Sequence, residues 1–192
     1  MSRVTSDVNL AAAALKAGKV VAYPTEGVWG LGCDPDNPDA LKALLALKRR
    51  DPAKGLIMIA AAVEQFRPWF EGLPSADVAR MEASWPAPLT WLVPDNGRAL
   101  ALARGEHDRV AVRVTEHALA ASLCTAFGGP IISTSANRAS EPSALTLDDV
   151  QAAFGDELEL ILDGHTGGRS SPSDIRDLES GEWLRGGSSH DD

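Results

Sequence analysis

Cysteine is nearly missing from this chain. Cys33 and Cys124 are the only two in 192 residues. Two thiols without metal-ligand spacing exclude a disulfide framework. Both lie among apolar neighbours and read as buried free thiols. Long apolar runs are missing too. Met1-Ser2-Arg3 leads into no apolar signal core, and no stretch approaches membrane-spanning length. The expected compartment is the cytoplasm, with no membrane partner. Positive charge is scarce: 18 Lys and Arg stand against 27 Asp and Glu, for a net charge of −9 and a pI near 4.9. That balance argues against a general nucleic-acid coat and against a binder of acidic membranes. It leaves room for a local basic pocket. There is no internal repeat and no linker. Glycines 27, 30 and 32 do not have the spacing of the dinucleotide fingerprint.

What is present is an ordinary globular composition, 44% hydrophobic and 23% charged. It is enough for one domain with a well-buried core. The most informative stretch is Pro130-Ile131-Ile132-Ser133-Thr134-Ser135-Ala136-Asn137. A short apolar run after Gly128-Gly129 reads as a buried strand. The hydroxyls and amide at its end need partners if buried. In open α/β sheets ligands sit beyond the carboxyl ends of strands. Ser133, Ser135 and Asn137 therefore either face a ligand or close a turn onto their own backbone.

Further strands are expected at 20–23, 56–60, 89–93, 110–114 and 158–162, with helices at 11–16, 39–47, 117–127 and 146–154. Residues 63–85 look helical and amphipathic, interrupted near Pro68 and Pro74. Residues 95–108 read as a surface loop. The run Lys48-Arg49-Arg50-Asp51-Pro52-Ala53-Lys54-Gly55 concentrates four cations where a helix stops at proline. A solvated helix end explains Lys48 to Arg50 adequately and Lys54 less well. Arg113 stands inside an apolar strand. Arginine is seldom buried unpaired, so an internal carboxylate or an anionic ligand must meet it. Residues 163–174 form a glycine- and serine-rich loop suited to folding over a ligand. Residues 175–178 and 182–184 suit a closing hairpin.

These loops together resemble the TsaC/YrdC family, the threonylcarbamoyladenylate synthases of tRNA modification. The carrying motifs are YPTEGVWGLGCDPD at 23–36, LKRRDPAKGLIMIAA at 47–61, WPAPLTWLVP at 85–94, AVRVTEH at 111–117, PIISTSANRASEP at 130–142 and GGRSSPSDIRDLESGEWLRGG at 167–187. Six motifs in order over nearly the whole chain are highly specific. The resemblance implies an α/β fold: a twisted, mostly parallel or mixed open sheet flanked by helices, with a concave substrate face. It implies one YrdC-like domain over 1–187, with 188–192 as a disordered tail, in the manner of the short bacterial form. The implied reaction joins L-threonine, bicarbonate and ATP into threonylcarbamoyl-AMP and pyrophosphate. The product serves N6-threonylcarbamoylation of adenosine 37 in tRNAs reading codons that start with A, through the TsaB–TsaD–TsaE machinery. By resemblance Lys48, Arg50, Ser135, Asn137, Ser173 and Arg185 make the ATP site. Thr25, Lys54, Arg113 and Ser133 take threonine and its carbamate. No covalent nucleophile is expected. Mg²⁺ is expected with ATP, its protein ligands unassigned. Glu26 and Asp174 are read as structural before outer-shell ligands. The alternative reading is an RNA-binding module using the concave face for weak binding of tRNA or other RNA; the acidic total weakens it.

Overall fold

The computed structural model of the protein describes residues 2–187. The strands are β1 (Arg3–Thr5), β2 (Val21–Pro24), β3 (Trp29–Gly32), β4 (Ile57–Ala60), β5 (Leu89–Pro94), β6 (Arg109–Val114), β7 (Ile131–Ser135), β8 (Leu160–Leu162), β9 (Asp174–Asp177) and β10 (Trp183–Arg185). The helices are α1 (Val8–Lys16), α2 (Pro38–Lys48), α3 (Ser75–Ser84), α4 (Ala101–Arg104), α5 (Ala118–Phe127) and α6 (Leu147–Phe154). The strands form one open sheet in the order β1-β8-β2-β3-β7-β4-β6-β5-β9-β10. The pairs β1–β8, β8–β2, β4–β6 and β5–β9 are parallel and the others antiparallel. Of the two expected arrangements the mixed one is found. The expected disordered tail, 188–192, lies outside the described residues.

Helix ends follow local chemistry. The Asn37 side chain accepts from the Asp39 and Ala40 amides, and Pro38 opens α2 with its preset φ. Leu41 and Leu44 of α2 are fully buried, each contributing about 1.5–3 kcal/mol. Thr146 and Asp149 form a reciprocal capping box on α6. Alternation along the strands sorts side chains onto two faces. In β2, Val21 and Tyr23 join α1 and α5 in one apolar cluster, while Ala22 joins the cluster beneath α2 and α6. In β6, Val110, Val112 and Val114 enter the second cluster. Arg109, Ala111 and Arg113 therefore point to the other face, which explains how an arginine sits in an apolar strand.

Three elements differ from expectation. Strand β3, Trp29–Gly32, was not expected, whereas residues 63–85 are interrupted near the prolines as expected, the first piece, Val63–Trp69, being a 3-10 segment ahead of α3. The 95–108 loop contains the short helix α4. Strand β1 was not anticipated; it is three residues long and exists because β8 pairs with it.

Candidate active site

Antiparallel pairing builds the site. β7 runs between β3 and β4, with Gly30 opposite Ser135 and Ile57 opposite Ser133. The hydroxyl-rich end of β7 therefore meets the turn preceding β3 and the cationic loop preceding β4. Beside this junction lies a cavity of about 730 Å³. Its wall is completed by the outward face of β6, by residues 169–173 and by Ile175, Leu184 and Arg185 of the closing hairpin. The hairpin is present as expected, antiparallel.

The 167–173 segment is docked, not loose. The Gly167 amide donates to the Thr25 carbonyl at 3.0 Å, and the Arg169 amide to the Glu26 carbonyl at 2.9 Å. The approach demands glycine on both sides. A Cβ on Gly27 would stand 2.8 Å from the Arg169 carbonyl, and one on Gly167 would stand 2.9 Å from that of Glu26.

Eight of the ten candidate residues line the cavity: Thr25, Arg50, Lys54, Arg113, Ser133, Ser135, Ser173 and Arg185. The Thr25 hydroxyl donates to the Val28 carbonyl at 2.7 Å, closing its own turn, and retains its acceptor capacity. Arg50 donates through Nη2 to the Gly55 carbonyl at 3.0 Å. Its Nε is buried with no hydrogen-bond partner among the described residues. Burial lowers its pKa from the ordinary guanidinium value. No carboxylate among the described residues forms an ion pair with Arg50 or Lys54. Arg185 holds Ser173, donating to its carbonyl at 2.7 Å and its hydroxyl at 3.1 Å, and Ser173 also meets Thr90 at 3.0 Å.

Lys48 and Asn137, expected in the ATP site, are not among the residues that line the cavity. Lys48 is 3% exposed, so it is not a solvated helix end. Its ammonium donates to the Ser135 carbonyl, to the Asn137 carbonyl at 2.7 Å and to Asn137 Oδ1 at 3.3 Å. Burial, with the Arg50 charge adding to it, pushes its pKa down to about 8. Asn137 is spent as well. Its Nδ2 donates to the Arg138 and Glu141 carbonyls, and its Oδ1 also accepts from Ser135 Oγ at 2.5 Å. With its amide so engaged, Asn137 closes a turn onto nearby backbone, the second reading allowed by the sequence. The two residues fix the strand end that presents Ser133 and Ser135.

Arg113 takes an internal partner as well as facing the cavity. Its Nη1 lies 2.5 Å from Glu26 Oε1, with both residues under 10% exposed. Desolvation raises the Glu26 pKa, but Arg113 and the Thr115 hydroxyl outweigh it and leave the carboxyl below its ordinary value. Of the two partners that the sequence allowed Arg113, the internal carboxylate is present, and it is Glu26. Arg104, Arg109 and Arg169 also line the cavity and were not anticipated. Arg109 sits two and four residues before Ala111 and Arg113, a period-two signal the sequence does carry. It is neutralised by Asp177 at 2.5 Å and Glu179 at 2.9 Å. Seven cations and three carboxylates in the lining leave a positive surplus within an acidic chain. Among the described residues no group of three or more His, Cys, Asp or Glu could hold a metal ion. No helix among them is long and apolar enough to cross a membrane.

A mixed open sheet with a cation-rich cavity beside its strand ends defines an α/β protein built to gather anionic small molecules. More narrowly, the chain belongs to the Sua5/YciO/YrdC family, whose model, described as telomere recombination, matches residues 13–187. It is 61% identical to a threonylcarbamoyl-AMP synthase of Chromohalobacter salexigens, over 96% of this chain and 100% of that protein. It is 48% identical to one of Cellvibrio japonicus, over 93% and 94% of the two chains. Among solved structures, P. abyssi Sua5 complexed with L-threonine superposes with a TM-score of 0.82 at 32% identity, over 88% of this chain and 50% of that one. The chain thus spans about half the length of that relative. E. coli YciO shares the fold, with a TM-score of 0.82 at 18% identity over 96% and 95% of the chains.

Proposed function

We propose that the protein is an L-threonylcarbamoyladenylate synthase, a nucleotidyltransferase. L-threonine, bicarbonate and ATP give threonylcarbamoyl-AMP, pyrophosphate and water. The observation that carries this reading is the identity of 61% along the full length of a synthase. The cavity agrees with it chemically. All three substrates bear negative charge, and the lining supplies cations that the chain as a whole lacks.

Arg50, Ser135, Ser173 and Arg185 receive ATP. Lys48 and Asn137 act behind them by fixing the strand end. Thr25, Lys54, Arg113 and Ser133 receive threonine and its carbamate, Arg113 offering its fork to the carboxylate. The threonine amine nitrogen attacks the bicarbonate carbon, the C–OH bond breaks, and the hydroxide leaves with a proton from the nitrogen as water, giving the carbamate. A carbamate oxygen then attacks the α-phosphorus, and pyrophosphate leaves. No side chain forms a covalent intermediate. Displacement at phosphorus depends on holding the groups in line and neutralising charge, which arginines and a lysine supply. Mg²⁺ would accompany ATP as Mg·ATP and would neutralise charge on the phosphates.

In the cell the product supplies N6-threonylcarbamoylation of adenosine 37 in tRNAs reading codons that start with A. It passes to the TsaB–TsaD–TsaE machinery in the cytoplasm. The test is incubation with ATP, bicarbonate and L-threonine, followed by mass detection of threonylcarbamoyl-AMP. ATP consumption that does not depend on threonine, with no such product, would overturn the reading.

A further inference from the structure

An α-amino acid carries opposite charges one carbon apart, and Arg113 accounts for the negative one alone. The carboxylate beside it, Glu26, lines the same cavity. Its bonds are lopsided. Oε1 accepts from Arg113 Nη1 at 2.5 Å, Thr115 Oγ1 at 2.6 Å and the Glu116 amide at 3.3 Å. None of these donors reaches Oε2. On the other side of the pair, Arg113 Nε is buried and makes no hydrogen bond among the described residues. The pair therefore leaves Glu26 Oε2 with none of these donors, and Arg113 Nε unpaired inside the wall. Arginine–carboxylate pairs frequently engage both carboxylate oxygens with the guanidinium fork, and here a single Nη1–Oε1 bond joins the two. The loop contacts at Thr25 and Glu26 hold this turn in place, so Glu26 is presented by a fixed backbone.

We propose that Glu26 determines specificity at this site, its Oε2 receiving the α-ammonium of L-threonine while Arg113 receives the α-carboxylate. The proposal rests on the threonine reading given above and adds the group that recognises the amine. Glu26 acts as a counter-ion that positions the ammonium on binding; the nitrogen attacks only after its proton has passed to water, and no covalent bond to Glu26 is made or broken. The two charges of the zwitterion are read together. With the side-chain hydroxyl as a third point of attachment, the site distinguishes L- from D-threonine.

The test is calorimetric titration of the full chain with L-threonine and with 3-hydroxybutanoate, which keeps the carboxylate and hydroxyl but has no amine. The wild type binds threonine roughly ten- to hundredfold more tightly, the range expected for a charge-assisted bond. Glu26→Gln keeps the shape and an acceptor for Arg113 Nη1. It brings threonine down to the level of 3-hydroxybutanoate and leaves the second ligand within about threefold of wild type. A variant that weakens both ligands alike, or that keeps the preference for threonine, overturns the proposal. The wild-type comparison stands even if the variant does not fold: equal affinity for the two ligands removes Glu26 from the site. If the wild type binds neither ligand, the threonine reading falls and the proposal falls with it.

Discussion

Replacing Arg113 by methionine removes one half of an ion pair that folding has taken out of water. Arg113 and Glu26 are 8% and 6% exposed. Methionine keeps much of the stem, but it leaves the Glu26 carboxylate with the Thr115 hydroxyl and Glu116 amide only. Removing one partner of a buried pair costs about 3–5 kcal/mol. In a domain of this size each kcal/mol lowers the Tm by roughly 2–4 °C, so the expected loss at pH 7 is on the order of 6–20 °C. Acid separates this cause from a simple packing defect. In the wild type the Glu26 pKa lies below its ordinary 4.5, because Arg113 and Thr115 outweigh the opposing effect of burial. A depressed carboxyl pKa contributes stability that is complete above the unfolded value and is lost as pH falls through the folded one. In the variant burial dominates, the Glu26 pKa rises, and the proton taken up on acidification relieves the buried charge. The two effects run in opposite directions. The gap in Tm is therefore widest at pH 7 and narrows toward pH 4. Calorimetric or circular-dichroism melts across that range measure it, and a gap constant with pH would refute the argument.

Arg50→Ala raises the KM for ATP about tenfold or more, because it removes a charge from the wall, and leaves Tm within a few degrees. Lys48→Ala does the reverse in emphasis: three acceptors lose their ammonium, and Tm falls by roughly 5 °C or more, read by the same melts. Gly167→Ala drives a Cβ against the Glu26 carbonyl, lifts the 167–173 segment and raises the KM for threonine in steady-state kinetics, with little change in Tm. L-valine in place of threonine slows pyrophosphate release roughly ten- to hundredfold, since a polar group in the pocket is left unpaired.

The local elements were legible wherever one periodicity ruled a segment. The end of β7, the α2 stop and the closing hairpin all follow from short-range pattern and turn chemistry. Lys48 was not legible. A lysine at a helix terminus looks solvated until β7 returns beneath it, and its acceptors lie 87 and 89 residues away. Glu26 was invisible as the Arg113 partner for the same reason, being 87 residues distant. The interruption of residues 63–85 near Pro68 and Pro74 was legible from the prolines, but the 3-10 geometry of the first piece was not. Arg169 fell inside a loop motif already quoted, and nothing in a loop sequence says which side chain turns inward.

The strand order also constrains how the chain is made. β8 lies between β1 and β2, pairing with both. A ribosome delivers the first two strands early and the third member of that trio only near residue 162. Until then the edges of β1 and β2 that will receive β8 have no partner, the condition in which strands invite wrong pairing. Ser173 and Arg185 emerge later still. The amino-terminal portion must therefore wait, with unpaired edges, for the carboxyl-terminal residues that both finish the sheet and close the cavity.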